Sequence, residues 1–530
     1  MSLPYLPSVY GHAKNGQISF GGLNHNLYAG DGEIWDMQNL SSRNFPLISP
    51  RLPRYTAHSV TAPQGITAND GLYYVDNNKL YKNGTALSVA LNNAHAGETR
   101  TLVTLGDYLC IFPDAVYYKM SDGKSGTLGA SEPVASAEIK DGKYAGEDAE
   151  KNTLVVGATV AAAFRVGDAV SFTGLDDYLT TPGGALIIRE IDGGNLVFYE
   201  NTFTKTGSSL NITISRDIPD MDFVCENENR LWGCKGDTIY ASKLGDPFNW
   251  NVFDGISTDS YSVEVGSAGS FTACCSYLGY PVFTKEDHIY KVYGDRPTNY
   301  QVMSSASLGV ESGSAKSLAI AGEILFYLSR AGVMAYSGGI PQLVSAPLGT
   351  GRFKDAVGGS DGIKYYISMA DASGNYSLYV YDTRYQLWHK EDNLRVYGFA
   401  WDSDLYLMTG TAIYRNGGSR ITTGAKEETV LSYAEFGDFI ENSPNAKYVS
   451  KLQLRCELAA GAKITVKAKY NGGAWETLAE YFGPLDKNSY YIPMVPRRVD
   501  HYRLRIEGAG DYSIYSLTRI YDNSSELRTK

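Results

Sequence analysis

Residues that commonly bind metals are sparse in this chain, with seven histidines and six cysteines among 530 residues. No two cysteines form a C-x-x-C pair, and no histidines show H-E-x-x-H or other paired spacing, so the common zinc signatures are absent. Cys225 and Cys234 have no partner ligands at a zinc-like interval. Cys110, Cys225, Cys234, Cys274, Cys275 and Cys456 mostly lie in apolar, strand-like runs. That placement predicts buried, reduced thiols in a protein folded in a cytosol. No apolar stretch approaches the roughly 20 residues that span a bilayer as a helix. The opening MSLPYLPSVYGHA has no charged-then-apolar signal pattern. A soluble chain made without a secretion signal, with no membrane insertion, is therefore expected. Basic charge is also short: 47 Lys and Arg stand against 58 Asp and Glu, a formal charge of −11. A surface built to hold nucleic acid usually carries the opposite sign.

Glycine and tyrosine are plentiful, at 56 and 41 residues. Together they favour many short strands joined by tight turns. One phrase recurs: a short apolar run, a polar turn, and a second run ending near tyrosine. It appears as GLYYVDNNKLYKNG (71–84), GDYLCIFPDAVYYKM (from 106), NRLWGCKGDTIYASK (from 229) and LGYPVFTKEDHIYKVYG (from 278). It returns as GEILFYLSRAGVMAYSGG (from 322), GIKYYISMADASGNYSLYVYDTRYQLWHK (from 362) and GFAWDSDLYLMTGTAIYRNGG (from 398). Each reads as a β-hairpin. Outside one long gap the spacing is mostly about 35 to 50 residues, the period of β-propeller blades. Small twisted sheets cannot bury both faces alone, and stacking them radially does so. The fold class expected is all-β: a propeller of six or seven blades with an inserted small β-barrel and a C-terminal β-sandwich.

The boundaries follow from where the period breaks. Residues 1–60 are Gly- and Pro-rich and read as an extended arm with a first strand. Residues 61–130 and 217–425 are the two parts of the propeller. Residues 131–216 hold four or five short strands around the IDGGN turn and read as the inserted barrel, entered through the charged linker KDGKYAGEDAEKN. Residues 426–530 show strict period two. Val449, Leu452, Leu454 and Cys456 mark one strand, and Ile464, Val466, Ala468 and Tyr470 another. Tyr502, Leu504 and Ile506, then Tyr512 and Ile514, repeat the pattern, which is that of a sandwich. The arm, lacking a core of its own, should lie on its own propeller or on a neighbouring subunit.

Chemistry is mostly missing. GGSDG at 358–362 satisfies G-x-S-x-G, but a strand follows it where a nucleophile elbow needs a helix, so Ser360 reads as a turn residue. GKS at 123–125 lacks the required upstream glycine, since Tyr118 stands there, and it joins strands. Asp217, Asp220 and Asp222, Asp402 and Asp404, and Asp176 and Asp177 are carboxylate groupings of the kind a glycosidase would need. Aspartate is equally what hairpin turns demand. Trp475 sits by a turn of the sandwich, where it either stacks on a sugar or, as the favoured reading, is buried. No catalytic, cofactor-binding or metal-binding residue is assigned, no cofactor is expected, and the chain reads as a non-enzyme.

Several phrases together resemble bacteriophage tail structural proteins of the tail nozzle and hub type. They are GGLNHN…GDGEIWDMQNLSSRNFPLISPR near the start, then LGDPFNWNVF, FTKEDHIYKVYGDRP, LGVESGSAKSLA, LFYLSRAGVMAYSGGIPQLVS, and RRVDHYRLRIEGAGDYSIYSLTRIY near the end. They span residues 17 to about 345 and 448 to 522, outside the inserted barrel. The resemblance implies a non-enzymatic virion protein, made and assembled in the bacterial host cytoplasm. It would form a homo-oligomeric ring, a hexamer, around the genome-exit channel. Its partners would be other copies of itself and other tail or portal-adaptor proteins, with DNA passing transiently. No gate loop can be placed by motif. Two other readings stay open: a receptor- or glycan-binding propeller adhesin, and a propeller glycosidase or lyase.

Overall fold

Turn chemistry sets the local structure. In the first hairpin the strands Leu72–Asp76 and Lys79–Lys82 are joined by Asn77 and Asn78, with φ of 47° and 59°. In the third, Glu228 and Asn229, with φ of 48° and 64°, join Phe223–Asn227 to Arg230–Lys235. Positive φ at both central residues is the type I′ turn, whose twist matches that of paired strands. Such hairpins set the architecture of the computed structural model, which describes residues 13–26, 30–140, 152–199, 202–417, 424–441, 446–495 and 497–523. The first twelve residues and residues 141–151, most of the expected charged linker, lie outside the described residues. The chain divides into two compact units, residues 60–316 and residues 1–59 with 317–530.

The unit formed by residues 60–316 holds four four-stranded antiparallel sheets and a barrel. The first sheet runs from Pro63–Ala68 to Thr85–Ala86, the second from Thr101–Leu105 to Ser125–Thr127. The third runs from Phe223–Asn227 to Tyr261–Glu264, and the fourth from Ala273–Tyr277 to Gln301–Ala306. Successive sheets share apolar cores. Tyr73, Val75 and Leu80 of the first pack with Leu109, Ile111 and Val116 of the second. Leu105, Cys110 and Phe112 of the second pack with Val224 and Leu231 of the third, and Trp232 and Ile239 of the third with Phe283 and Tyr290 of the fourth. The second and third sheets thus bury both faces, which explains strands such as Arg230–Lys235, buried at every position but the last. The barrel closes with six strands, from Ala130–Lys140 to Gly207–Arg216, one or two more than the sequence suggested. Its core includes Leu154, Phe164, Val170, Ile188 and Phe198.

The other unit holds three more blade-sized sheets and the sandwich. Two are four-stranded: Ala319–Ala321 to Gln342–Leu343, and Lys354–Ser360 to Leu387–Asp392. The third joins Val396–Asp402, Asp404–Thr409 and Ala412–Arg415 to Tyr55–Ser59 and Ala425–Lys426. The strand that precedes the first propeller sheet in sequence therefore completes the last one. The fold class is a β-propeller with seven blade-sized sheets, an inserted barrel and a sandwich, and each of the seven recurring hairpins occupies a separate sheet.

The arm has no core of its own and lies on the rest of its unit, and it adds strands to both sheets of the sandwich as well. Ala13–Gln17 pairs with Tyr512–Asn523 in one sandwich sheet, and Ile34–Gln38 pairs with Leu431–Phe436 in the other. Its apolar residues Phe20, Leu23, Ile34, Met37, Leu40 and Ile48 are buried in the core shared by the sandwich and the propeller sheets of this unit. Proline and glycine broke the periodicity of the arm, but its short apolar pieces borrow partners far away in sequence. Every alternating residue singled out in the sandwich is buried except Tyr470, which is half-buried.

Candidate functional site

A polar recess of about 280 Å³ lies within the unit of residues 1–59 and 317–530. Asp361 and Lys364 from one hairpin, Tyr366 from the following strand, Glu391 from the sheet edge, and Trp401 and Asp404 from the next sheet line it. The arm adds Arg43 and Arg51. Trp401 is 50% exposed.

The carboxylates of this recess are committed to the fold. Asp361 accepts backbone N–H bonds from Ile363 and Lys364 at 3.0 and 2.6 Å and the Tyr366 hydroxyl at 3.1 Å. Glu391 is paired with Arg54, which also pairs with Asp392. Burial opposes the Arg54 charge, and these two carboxylates outweigh it, raising its pKa above the ordinary arginine value. Asp404 accepts from Arg415 through both Nε, at 2.8 Å, and Nη2, at 2.7 Å. Arg51 forks onto Glu427 at 2.6 and 2.7 Å and donates to Asn39 at 2.7 Å. Burial, followed by the nearby Asp361 and Glu391 charges, pushes the Tyr366 phenol well above its ordinary value, so it stays protonated. An acid/base pair needs a carboxyl free to exchange a proton with substrate. This recess offers instead a half-exposed indole beside charges already paired.

The sequence-predicted residues occupy turn and scaffold positions. The Ser360 hydroxyl accepts the Gly362 N–H at 2.9 Å. The glycines before it are demanded by packing. A Cβ on Gly358 would meet the Ser317 carbonyl oxygen at 2.3 Å, and one on Gly359 would meet the Phe399 Cβ at 2.3 Å. Gly123 and Lys124 form the turn before Ser125–Thr127. Asp217 accepts from Ser171, Asp220 pairs with Lys235 at the surface, and the Asp222 N–H donates to the Cys234 carbonyl. Asp176 and Asp177 lie in a single 3-10 turn of the barrel. Asp402 and Asp404 flank a tight turn, and only Asp404 lines the recess. Trp475 is half-buried, with the Lys469 ammonium 5.8 Å from its ring centre. Among the described residues no group of three or more His, Cys, Asp or Glu is arranged to hold a metal ion.

Two features escaped the sequence reading. The recess depends on arm residues more than 300 positions away from its other walls. Cys274 joins Cys225 and Cys234, two cysteines of a single earlier hairpin, in the apolar cluster between two neighbouring sheets. Neither arrangement leaves a local motif.

No family model matches the chain, and no curated protein matches it. It is similar to several solved structures. An exo-β-1,3-galactanase from Phanerochaete chrysosporium is 9% identical, over 55% of this chain and 92% of that one, with a TM-score of 0.22. Raptor from Chaetomium thermophilum is 11% identical, over 70% of this chain and 29% of that one, with a TM-score of 0.32. PorZ from Porphyromonas gingivalis, a surface component of the type-IX secretion system, is 11% identical, over 81% of this chain and 71% of that one, with a TM-score of 0.27. Likenesses of this size say nothing about activity.

Proposed function

We propose that the chain is a non-enzymatic structural protein of a bacteriophage tail. In this reading it is a hub or nozzle component, forming a homo-oligomeric ring around the genome-exit channel. One observation carries the reading: the buried charges of the unit that joins the arm to the sandwich serve as fasteners. Arg519 on Glu441, Arg51 on Glu427, and Arg54 on Glu391 and Asp392 each tie segments more than 70 residues apart. Ion pairs spent this way make a stiff block rather than a reactive cleft. The phrases behind the resemblance also serve packing. In LGDPFNWNVF, Phe248, Trp250 and Val252 are buried, and in LFYLSRAGVMAYSGG, Leu325, Phe326, Tyr327 and Leu328 are.

The net charge of −11 suits a passage for DNA, because a lumen that bound phosphates would retain the polymer by counterion release. Other copies of the chain and other tail or portal-adaptor proteins are the partners in this reading, assembled in the host cytoplasm and carried in the virion. Negative-stain imaging of the purified full chain tests it. Closed rings support it, and a monomer that stays monomeric at micromolar concentration overturns it.

Half-exposed Trp401 favours a second reading, a receptor- or glycan-binding propeller, because an exposed indole stacks well on a sugar ring. Glycan-array binding that Trp401→Ala abolishes would promote this reading over the first.

A further inference from the structure

A second, larger cavity, of about 720 Å³, lies between the barrel and the second sheet, within the unit of residues 60–316. That volume is typical of ligand sites. Tyr117 and Thr127 line it from the sheet, and Ser131, Glu132, Arg165 and Arg216 from the barrel.

Two guanidiniums here share one ring. Arg165 stands 3.7 Å and Arg216 5.4 Å from the ring centre of buried Phe248. Buried Asp168 fixes both, accepting the Arg165 backbone N–H at 2.9 Å and pairing with the Arg216 side chain. Arg216, whose side chain is 4% exposed, also donates from Nε to the Leu128 carbonyl at 3.0 Å and from Nη1 to the Ala163 carbonyl at 3.4 Å. Its Nη2 takes part in none of these bonds. The Arg165 side chain contacts the rings of Phe248 and Tyr117, and among the described residues no carboxylate pairs with it. Two guanidiniums with one carboxylate partner leave a net positive charge on this ring. The donors of Arg165 and the Nη2 of Arg216 are therefore held in place and unmatched.

The acidic groups of the cavity narrow the ligand class. Asp114 is committed to Arg100, at 2.6 and 3.1 Å. Asp217 accepts from Ser171, and Glu132 has no partner among the described residues. A single planar carboxylate matches a guanidinium fork. A phosphate would bring a second negative charge into a cavity that already holds Glu132 and Asp217. Hydroxyls can donate to those two acceptors, whereas a neutral sugar would leave Arg165 unmatched. We propose that this cavity binds an acidic saccharide, a hexuronate unit whose carboxylate accepts from Arg165 and from Nη2 of Arg216 and whose hydroxyls donate to Glu132 and Asp217. The site stands whether or not the chain forms a ring, and it is separate from Trp401, which belongs to the other unit.

Isothermal titration calorimetry of the purified full chain with trigalacturonate and with triglucuronate tests the proposal. At least one should bind, and loss of a charge-assisted hydrogen bond should weaken it about tenfold or more, both in its methyl ester and in Arg165→Ala. Arg165→Ala leaves the Asp168–Arg216 pair in place and should melt at the parent temperature, and Trp401→Ala should bind as the parent does. The ester comparison uses the unaltered chain, so it decides the matter even where Arg165→Ala melts early. Absence of binding by both oligouronates at millimolar concentration overturns the proposal. So do equal affinity for the esters, displacement of the oligouronate by equimolar inorganic phosphate, or binding that Trp401→Ala abolishes and a folded Arg165→Ala retains.

Discussion

Arg519, on the last strand of the chain, donates from Nε to Glu441 at 2.7 Å, and both side chains are fully buried. The Tyr502 hydroxyl donates to the same carboxylate, and Asp31 of the arm accepts from Arg519. Removing one member of such a pair strands the other charge in a low dielectric, typically at about 3–5 kcal/mol. Glu441→Leu should cost that much in denaturant unfolding. The double change Glu441→Leu with Arg519→Met should cost clearly less, because no uncompensated charge remains. Equal losses for the single and double variants would show that packing, not charge, dominates here.

The arm supplies one strand to each sandwich sheet and Tyr55–Ser59 to the last propeller sheet. Removing residues 1–59 should therefore damage the fold of its own unit, not only its assembly. It leaves edges unpaired and exposes the faces that Ile34, Met37 and Leu40 cover. Circular dichroism and thermal unfolding check this. A truncated chain that melts cooperatively at the full-length temperature would mean the arm is dispensable for folding.

Acid should loosen the sheet Lys354–Ser360 to Leu387–Asp392 in two stages. Burial, with a smaller contribution from the Lys364 charge, lowers the His389 pKa to about 3 from its ordinary 6.5. A histidine depressed on folding stabilises the native state above pH 6.5, and that contribution is lost as pH falls toward 3. Burial disfavours the Asp382 charge, but hydrogen bonds from Arg384 and Ser42 and the nearby Lys364 hold it at about 2. Its contribution is complete above its ordinary 3.8 and is lost between there and 2. At about 1.4 kcal/mol per pKa unit, stability should fall by up to about 3 kcal/mol between pH 6.5 and 4. His389→Gln should flatten that slope, and an unchanged slope would locate the effect elsewhere.

The sequence disclosed the repeat and the sandwich because both are local patterns. Turn pairs such as Asn77-Asn78, and alternation such as Ile464, Val466 and Ala468, are written within a few residues of each other. What it hid is held together over long separations. The arm reads as coreless because Phe20, Leu23 and Ile48 find their partners only after the chain returns from residue 321 onward. Asp404 reads as a turn former, which it is, yet the recess beside it needs Arg43 and Arg51 from the arm. Cys274 has no meaning until the fourth sheet stacks on the third.

The GGSDG stretch allows the sharpest separation of scaffold from chemistry. If it served a nucleophile, Ser360 would be its sensitive position; here the sensitive positions are the two glycines. An added methyl at Gly358 runs into the backbone of Ser317, and one at Gly359 runs into the side chain of Phe399. Overpacking of this kind typically costs about 1–3 kcal/mol, and the collision with backbone at Gly358 cannot be relieved by a rotamer change. Ser360 contributes one exposed hydrogen bond to the Gly362 N–H, and losing it should cost at most about 1 kcal/mol. Urea unfolding should therefore rank Gly358→Ala as the most destabilising change, then Gly359→Ala, with Ser360→Ala close to the parent. If the chain serves the tail role proposed above, particle infectivity should follow the same order. A Ser360→Ala chain that folds and assembles normally but loses biological activity would restore the nucleophile reading and overturn the scaffold assignment of this hairpin.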